Sequence, residues 1–246
     1  MTNIIYSEFM KLKKSFIIPL VLLGGLAIPA MYFFSYFNVD YGALRQDTSA
    51  KDILSNINIM QIQILDTILF SLIAGYIFSR EYTNKTVSTL YSYPISRFKI
   101  VICKAIVVFV LVAIVYFLNL SASLITILTT LGMEELKNIF YIEFKTCLIS
   151  AILQIFILPL SMFIGMVSEN LIIPIIYGVI GTVSSMFLMV TDVWMQLSPF
   201  MFPVMPFYHL FRGDPIDYIA ISLSGGIAFL GAITSIIVYF KNCDIN

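Results

Sequence analysis

One acid stands alone inside a long uncharged run of this 246-residue chain: Asp66, with Gln61 and Gln63 shortly before it. A carboxyl within hydrocarbon is costly, and groups kept there bind a cation, relay a proton or meet a polar substrate. The same carboxyl can also be a purely structural group, hydrogen-bonded to Gln63 or to a neighbouring span. A second polar set, Asn119, Ser121, Ser123, Thr126, Thr129 and Thr130, repeats at intervals of three and four. On a helix that spacing draws one stripe, which can line a pathway or hold helices together. Other chemistry finds no residues to carry it. No G-x-x-x-x-G-K-[ST] phosphate loop is present, so the chain has no nucleotide site of that kind. A single histidine, His209, excludes the H-E-x-x-H zinc arrangement and any histidine pair. A Ser–His nucleophile would have to be built on His209 in a proline-broken stretch. No catalytic or metal set is therefore expected.

The elements that must position these residues are helices in a membrane. Hydrophobic residues make up 60% of the chain and charged ones 11%, with a mean hydropathy of +0.97. That is the composition of an all-α polytopic membrane protein. The length accommodates about six spans of ~20 residues with short loops, forming one unit over residues 1–246. Zero formal net charge argues against a nucleic-acid partner. The three cysteines lie far apart and suggest no disulfide or metal framework.

The apolar runs place spans at about 15–39, 55–79, 99–131, 146–167, 171–191 and 218–240. Residues 1–14 read as an interfacial helix: Ile4, Ile5, Phe9 and Leu12 share one face, and Glu8, Lys11, Lys13 and Lys14 take the other. The basic side would rest on anionic lipid. Residues 193–211 are also uncharged, but Pro199, Pro203 and Pro206 rule out one continuous helix there. Re-entrant short helices on the outer face, between spans 5 and 6, are expected instead.

The longest plainly aqueous stretch is 79–104, which carries Arg80, Lys85, Arg97, Lys99 and Lys104 against the single acid Glu81. Thr83 or Asn84 can cap a short helix whose Val87, Leu90 and Tyr91 fall on one face. Pro94 ends it, and Ser96 can cap the long apolar helix beyond. A small greasy face with polar flanks, held at a membrane surface, suits docking onto another protein.

Glu81-Tyr82, Lys85-Thr86, Leu90, Pro94-Ile95-Ser96-Arg97 and Lys104 together resemble the E-(Y/F)…(K/G)-T…L…P-x-S-R…K signature of ABC-2 type exporter permeases. The opening string Glu8…Lys11-Leu12-Lys13-Lys14-Ser15 and the ending Tyr239-Phe240-Lys241-Asn242-Cys243-Asp244-Ile245 resemble that family too, and most of all its bacitracin- and lantibiotic-resistance permeases. The resemblance implies that the loop between spans 2 and 3 carries a coupling helix. Glu81, Tyr82, Thr83, Lys85, Thr86, Val87, Leu90, Tyr91, Pro94 and Arg97 would then form the surface for a separate ABC ATPase. ATP and Mg would bind that partner, so this chain would hold no cofactor of its own. A second permease copy, or a related permease, would complete the exporter, and an amphipathic peptide antibiotic or similar hydrophobic molecule would be its substrate. Asp66, Gln63, Asn119, Ser123 and Thr126 are the candidate substrate pathway.

Charge places the loops. With both termini in the cytoplasm of a multi-pass cell-membrane protein, the inner segments hold nine basic residues and the outer loops five, and orientation follows the basic residues. On this reading the acids of 134–145, Glu143 among them, lie in an outer loop. The rival class is an ion-gradient-driven secondary transporter using Asp66. It would favour paired intramembrane charges and an internal inverted repeat, whereas the sequence offers one deep acid and no evident repeat.

Overall fold

The computed structural model describes residues 2–13, 15–37, 49–86, 96–189, 192–213 and 215–242. Among them there is no strand. Seven helices organise the chain: α1 (Thr2–Leu12), α2 (Ile17–Phe37), α3 (Ala50–Thr83), α4 (Arg97–Thr130), α5 (Met133–Ser168), α6 (Ile172–Leu188) and α7 (Tyr218–Asn242). All but α1 and α6 are long and apolar enough to cross a membrane, by length and composition. The 17 residues of α6 rise about 26 Å, close to the ~30 Å of a hydrocarbon core. The chain is an all-α polytopic membrane protein.

Two ends of the bundle can be told apart by what packs there. The start of α3, the end of α4 and the start of α5 share one apolar cluster, containing Ile53, Leu54, Ile57, Ile127 and Ile139. At the other end Lys104, early in α4, donates to the carbonyl of Ile77 near the end of α3 (2.7 Å). Consecutive long helices therefore run antiparallel, as short connections require. Between the ends, Phe70, Ile73 and Ile77 of α3 interlock with Val107, Val108, Leu111 and Val115 of α4 and with Leu158, Met162 and Met166 of α5. α2 lies along α4, α6 along α3, and α7 along α5.

Small residues permit the closest crossings. A Cβ on Gly75 would sit 2.5 Å from Cβ of Pro174 at the start of α6, and a Cβ on Gly165 would sit 3.0 Å from the Cα of Gly75. Here α3, α5 and α6 meet backbone to backbone, as membrane helices do at small residues.

Several boundaries differ from those read in the sequence. α3 starts at Ala50 and runs to Thr83, 34 residues or about 51 Å, well beyond the expected 55–79. It is interrupted by a π turn, Gln61–Asp66. α5 begins at Met133, so residues 133–145 are the first turns of a 36-residue helix and not a loop before residue 146. The reason is periodicity. Ile139, Glu143, Thr146, Cys147 and Ser150 recur at three and four and are all buried, while Tyr141 and Phe144 between them are exposed. Glu143 thus belongs to the bundle interior.

The segment after α6 is broken at its prolines into a six-residue helix (Asp192–Leu197), a 3-10 turn (Pro199–Met201) and a single helical turn (Met205–Phe207) that widens into a π turn (Tyr208–Arg212). Met201, Phe202, Val204, Met205, Phe207 and Tyr208 are buried. Arg212 binds the start of α3, donating from Nε to Ser55 Oγ (3.2 Å) and from Nη2 to Asn56 Oδ1 (3.1 Å). This segment of short helices therefore closes the bundle end opposite Lys104.

Candidate functional site

The polar residues gather in two places, the end of the bundle where α3 hands over to α4 and the interior between α2, α3, α4 and α5. At the first, α1 folds back against α4. Glu8 and Leu12 turn inward while Lys11 and Lys13 stay exposed. Helical periodicity alone puts Glu8 on the outward, polar face of α1. It is buried instead because two cations hold it: Lys11 Nζ lies 2.6 Å from Glu8 Oε1 and Arg80 Nη2 lies 3.5 Å from Glu8 Oε2. Lys11 also reaches Glu81 Oε1 (3.1 Å), and Arg80 Nη2 stands 3.8 Å from the same oxygen. Lys104 completes the cluster through a very close ion pair with Glu81 Oε2. Arg80 further lies over the Tyr76 ring, 5.6 Å from its centroid.

Five charges from three helices thus hold one another, two negative and three positive. Glu8, Arg80, Glu81 and Lys104 are each under one-tenth exposed. Burial opposes the charged form of Lys11, but its bond to Glu8 and the two carboxylate charges outweigh that and raise its pKa. Groups like these persist in a low dielectric only when mutually paired.

The cluster fixes the base of the 84–96 connection. Thr83 and Asn84, expected to cap a new helix, instead close α3. Asn84 is its C-cap, Lys85 takes a left-handed conformation (φ 56°), its N–H bonds to Tyr82 O (3.0 Å), and the Thr86 N–H bonds to Glu81 O (2.9 Å). This is a Schellman ending with lysine at the position glycine usually takes. Thr83 Oγ1 turns back onto Ser79 O and Arg80 O, at 3.2 and 2.9 Å. Ser96 is the N-cap residue of α4 by its extended backbone, but its side chain makes no capping bond.

Of the expected docking residues, Thr83, Lys85 and Thr86 are exposed and Tyr82 is half-buried. Glu81 is 5% exposed, so its side chain positions the connection and offers no face to another chain. Val87, Leu90, Tyr91 and Pro94 lie outside the described residues, as does the side chain of Arg97.

The interior set is built around α3. Asn58 Nδ2 donates to Glu143 Oε1 of α5 (2.7 Å) and Asn119 Nδ2 of α4 donates to Asn58 Oδ1 (2.7 Å). Ser123 Oγ stands 3.3 Å and Cys147 Sγ 3.8 Å from the same Glu143 oxygen. One turn along α3, Gln61 Nε2 donates to Asp66 Oδ1 (2.7 Å) and to the Gly24 carbonyl of α2 (2.9 Å). Asp66 therefore pairs with Gln61, across the π turn, and not with Gln63, whose amide points to the sulfur of Met189 (2.7 Å). Thr126 is buried but bonds only back to Ala122 O of its own helix (3.0 Å). All five expected pathway residues are buried. Ser123 reaches Glu143 directly and Asn119 reaches it through Asn58, while Asp66 and Gln63 diverge.

Glu143, Asn58 and Glu8 do not stand out in the sequence as site residues. The one signal for Glu143 is its place in the three-and-four repeat with Ile139, Thr146 and Cys147. At the far end a cavity of about 280 Å³ opens among Met189, Met195, Met205, Tyr208 and Arg212. None of the expected site residues lines it.

A bundle of long apolar helices, with a charge-clamped connection at one end and a polar interior, is the build of a multi-pass transport permease. The chain belongs to the ABC-2 family of transporter proteins, whose family model matches residues 4–185, from α1 almost to the end of α6. It is similar to the bacitracin transport permease protein BCRB of Bacillus licheniformis, 26% identical over 207 residues that cover 80% of this chain and 93% of that protein. No solved structure matches it.

Proposed function

We propose that this chain is the transmembrane subunit of an ATP-driven exporter, docked through its α3–α4 connection onto a separate ABC ATPase that binds ATP and Mg. The observation that carries the reading is the five-charge cluster at the base of that connection, four of whose members are buried. It ties both flanking helices to α1, so a push delivered at residues 84–96 is transmitted to α1, α3 and α4 together. A slack, solvated loop would absorb the same push. The family membership supports the ATPase partner, and the relative's name supports a peptide antibiotic or a similar hydrophobic molecule as cargo. A second permease copy, or a related permease, completes the assembly.

Replacing Leu90 and Tyr91 together by Asp tests the docking. The permease is expected to insert normally, while co-purification with the ATPase and substrate-stimulated ATP hydrolysis fall to background. Normal transport by the double variant would remove the docking assignment.

In the same reading α6 is the fifth of six crossings, both termini are cytoplasmic, and the clamped end of the bundle faces the cytoplasm. Single cysteines at Lys51 and Lys137, both exposed, are then labelled by impermeant maleimide from outside. One at Lys13, also exposed, is reached only after the membrane is opened. The opposite pattern would invert the topology.

A further inference from the structure

Asp66 and Glu143 are both at or below 1% exposure, and neither has a cationic partner among the described residues. Each uses one carboxyl oxygen and leaves the other bare. Asp66 Oδ1 accepts from Gln61 and Glu143 Oε1 from Asn58, while Asp66 Oδ2 and Glu143 Oε2 have no partner at all. Further polar atoms of the same interior, among them Gln61 Oε1, Tyr116 Oη and Asn119 Oδ1, are equally bare. The amide of Gln61 cannot turn over to relieve this, since its nitrogen already serves the Gly24 carbonyl, which only accepts.

Among the described residues the surroundings supply no compensating charge. Facing the pair, α2 offers the Gly24 carbonyl, and α4 offers Asn119, Ser123 and the phenol of Tyr116. α5 offers the thiol of Cys147. The single titratable group of α6, Tyr177, packs on Phe200, and Tyr239 of α7 packs on Phe163. Arg212 is spent on Ser55 and Asn56 and reaches neither acid. An ionised carboxylate here would be buried without a counter-charge, a state avoided by taking up a proton. A proton on the bare oxygen of each carboxyl removes that charge.

We propose that Asp66 and Glu143 form a proton-binding pair inside the bundle: both carboxyls are protonated while the helices are packed in this arrangement, and they release their protons when the helices part and water enters. The inference does not depend on the ATPase reading. It gives the permease a proton-linked step of its own, whichever partner drives it.

The test uses the full chain in lipid nanodiscs at neutral pH. Infrared difference spectra should show protonated-carboxyl bands that are reduced in Asp66→Asn and in Glu143→Gln, and lost in the double variant. A hydrophobic carbodiimide, which adds only to protonated carboxyls, should modify wild-type protein at both residues, located by peptide mass mapping. The labelling requires no variant, so poor folding of a substitution cannot obscure it. Two results would overturn the proposal. One is no modification at either residue. The other is carboxyl bands that respond to sodium and not to pH, which would make the pair an ionised cation site.

Discussion

Glu81→Ala is expected to cost about 3–5 kcal/mol, the usual consequence of removing one member of a buried, mutually paired charge group. Lys104 would then keep the Ile77 carbonyl and the Phe78 ring, Arg80 Glu8 and the Tyr76 ring, and Lys11 only Glu8. Three cations would be left around a single acid. Unfolding of the purified permease in mixed micelles, followed by helicity against denaturant, should show the loss. A double replacement that removes both members of the closest pair, Glu81→Gln with Lys104→Met, is expected to recover most of it, since it deletes the stranded charge along with its partner. If Glu81→Ala unfolds like the wild type, the cluster is a surface ornament and its positioning role fails.

The second large effect belongs to the helix crossing. Gly75→Val should force α3 away from α6, because a Cβ at position 75 is already 2.5 Å from the Pro174 ring and the ring cannot swing aside. Overpacking of this kind costs typically about 1–3 kcal/mol. It should also lower the yield of folded protein and expose the α3–α6 seam to proteolysis. Gly226→Ala on α7 provides the contrast, since a Cβ there meets nothing within 4 Å. It should be neutral or slightly stabilising, because alanine favours the helix. Equal behaviour of the two variants would mean that the crossing is not closely packed in the membrane.

The long apolar runs make the helices legible, because the bilayer demands ~20 residues per crossing and leaves few other arrangements. The proline triplet likewise foretells the broken segment after α6. What local sequence cannot carry is pairing across distance. Glu143 sits among Glu134, Glu135, Lys137 and Lys145, and by composition that is a loop. Its partner Asn58 lies 85 residues away. Glu8 resembles the polar face of an interfacial helix for the same reason, since Arg80 and Glu81 are remote in the chain. Thr83 and Asn84 mislead differently. The residue types that start one helix also suit the turn that ends another, and only the lysine in a left-handed conformation after them tells which is meant. The Pro-Ile-Ser-Arg string and its neighbours single out this connection in the sequence, yet do not tell that its one acid is buried.

The π turn in α3 has a bearing on how such chains diversify. Six residues, Gln61–Asp66, occupy a wider coil than an α-helix allows, the usual trace of one residue added to an existing helix. Every residue added to an α-helix rotates the remainder of that helix by about 100°. The π turn absorbs that rotation locally, so the half bearing Asn58 and the half bearing Glu81 keep separate phases. One residue can therefore be gained or lost at this turn without rotating either half out of register. When related chains are aligned, a one-residue gap belongs at 61–66, next to Asp66, sooner than in the loops on either side.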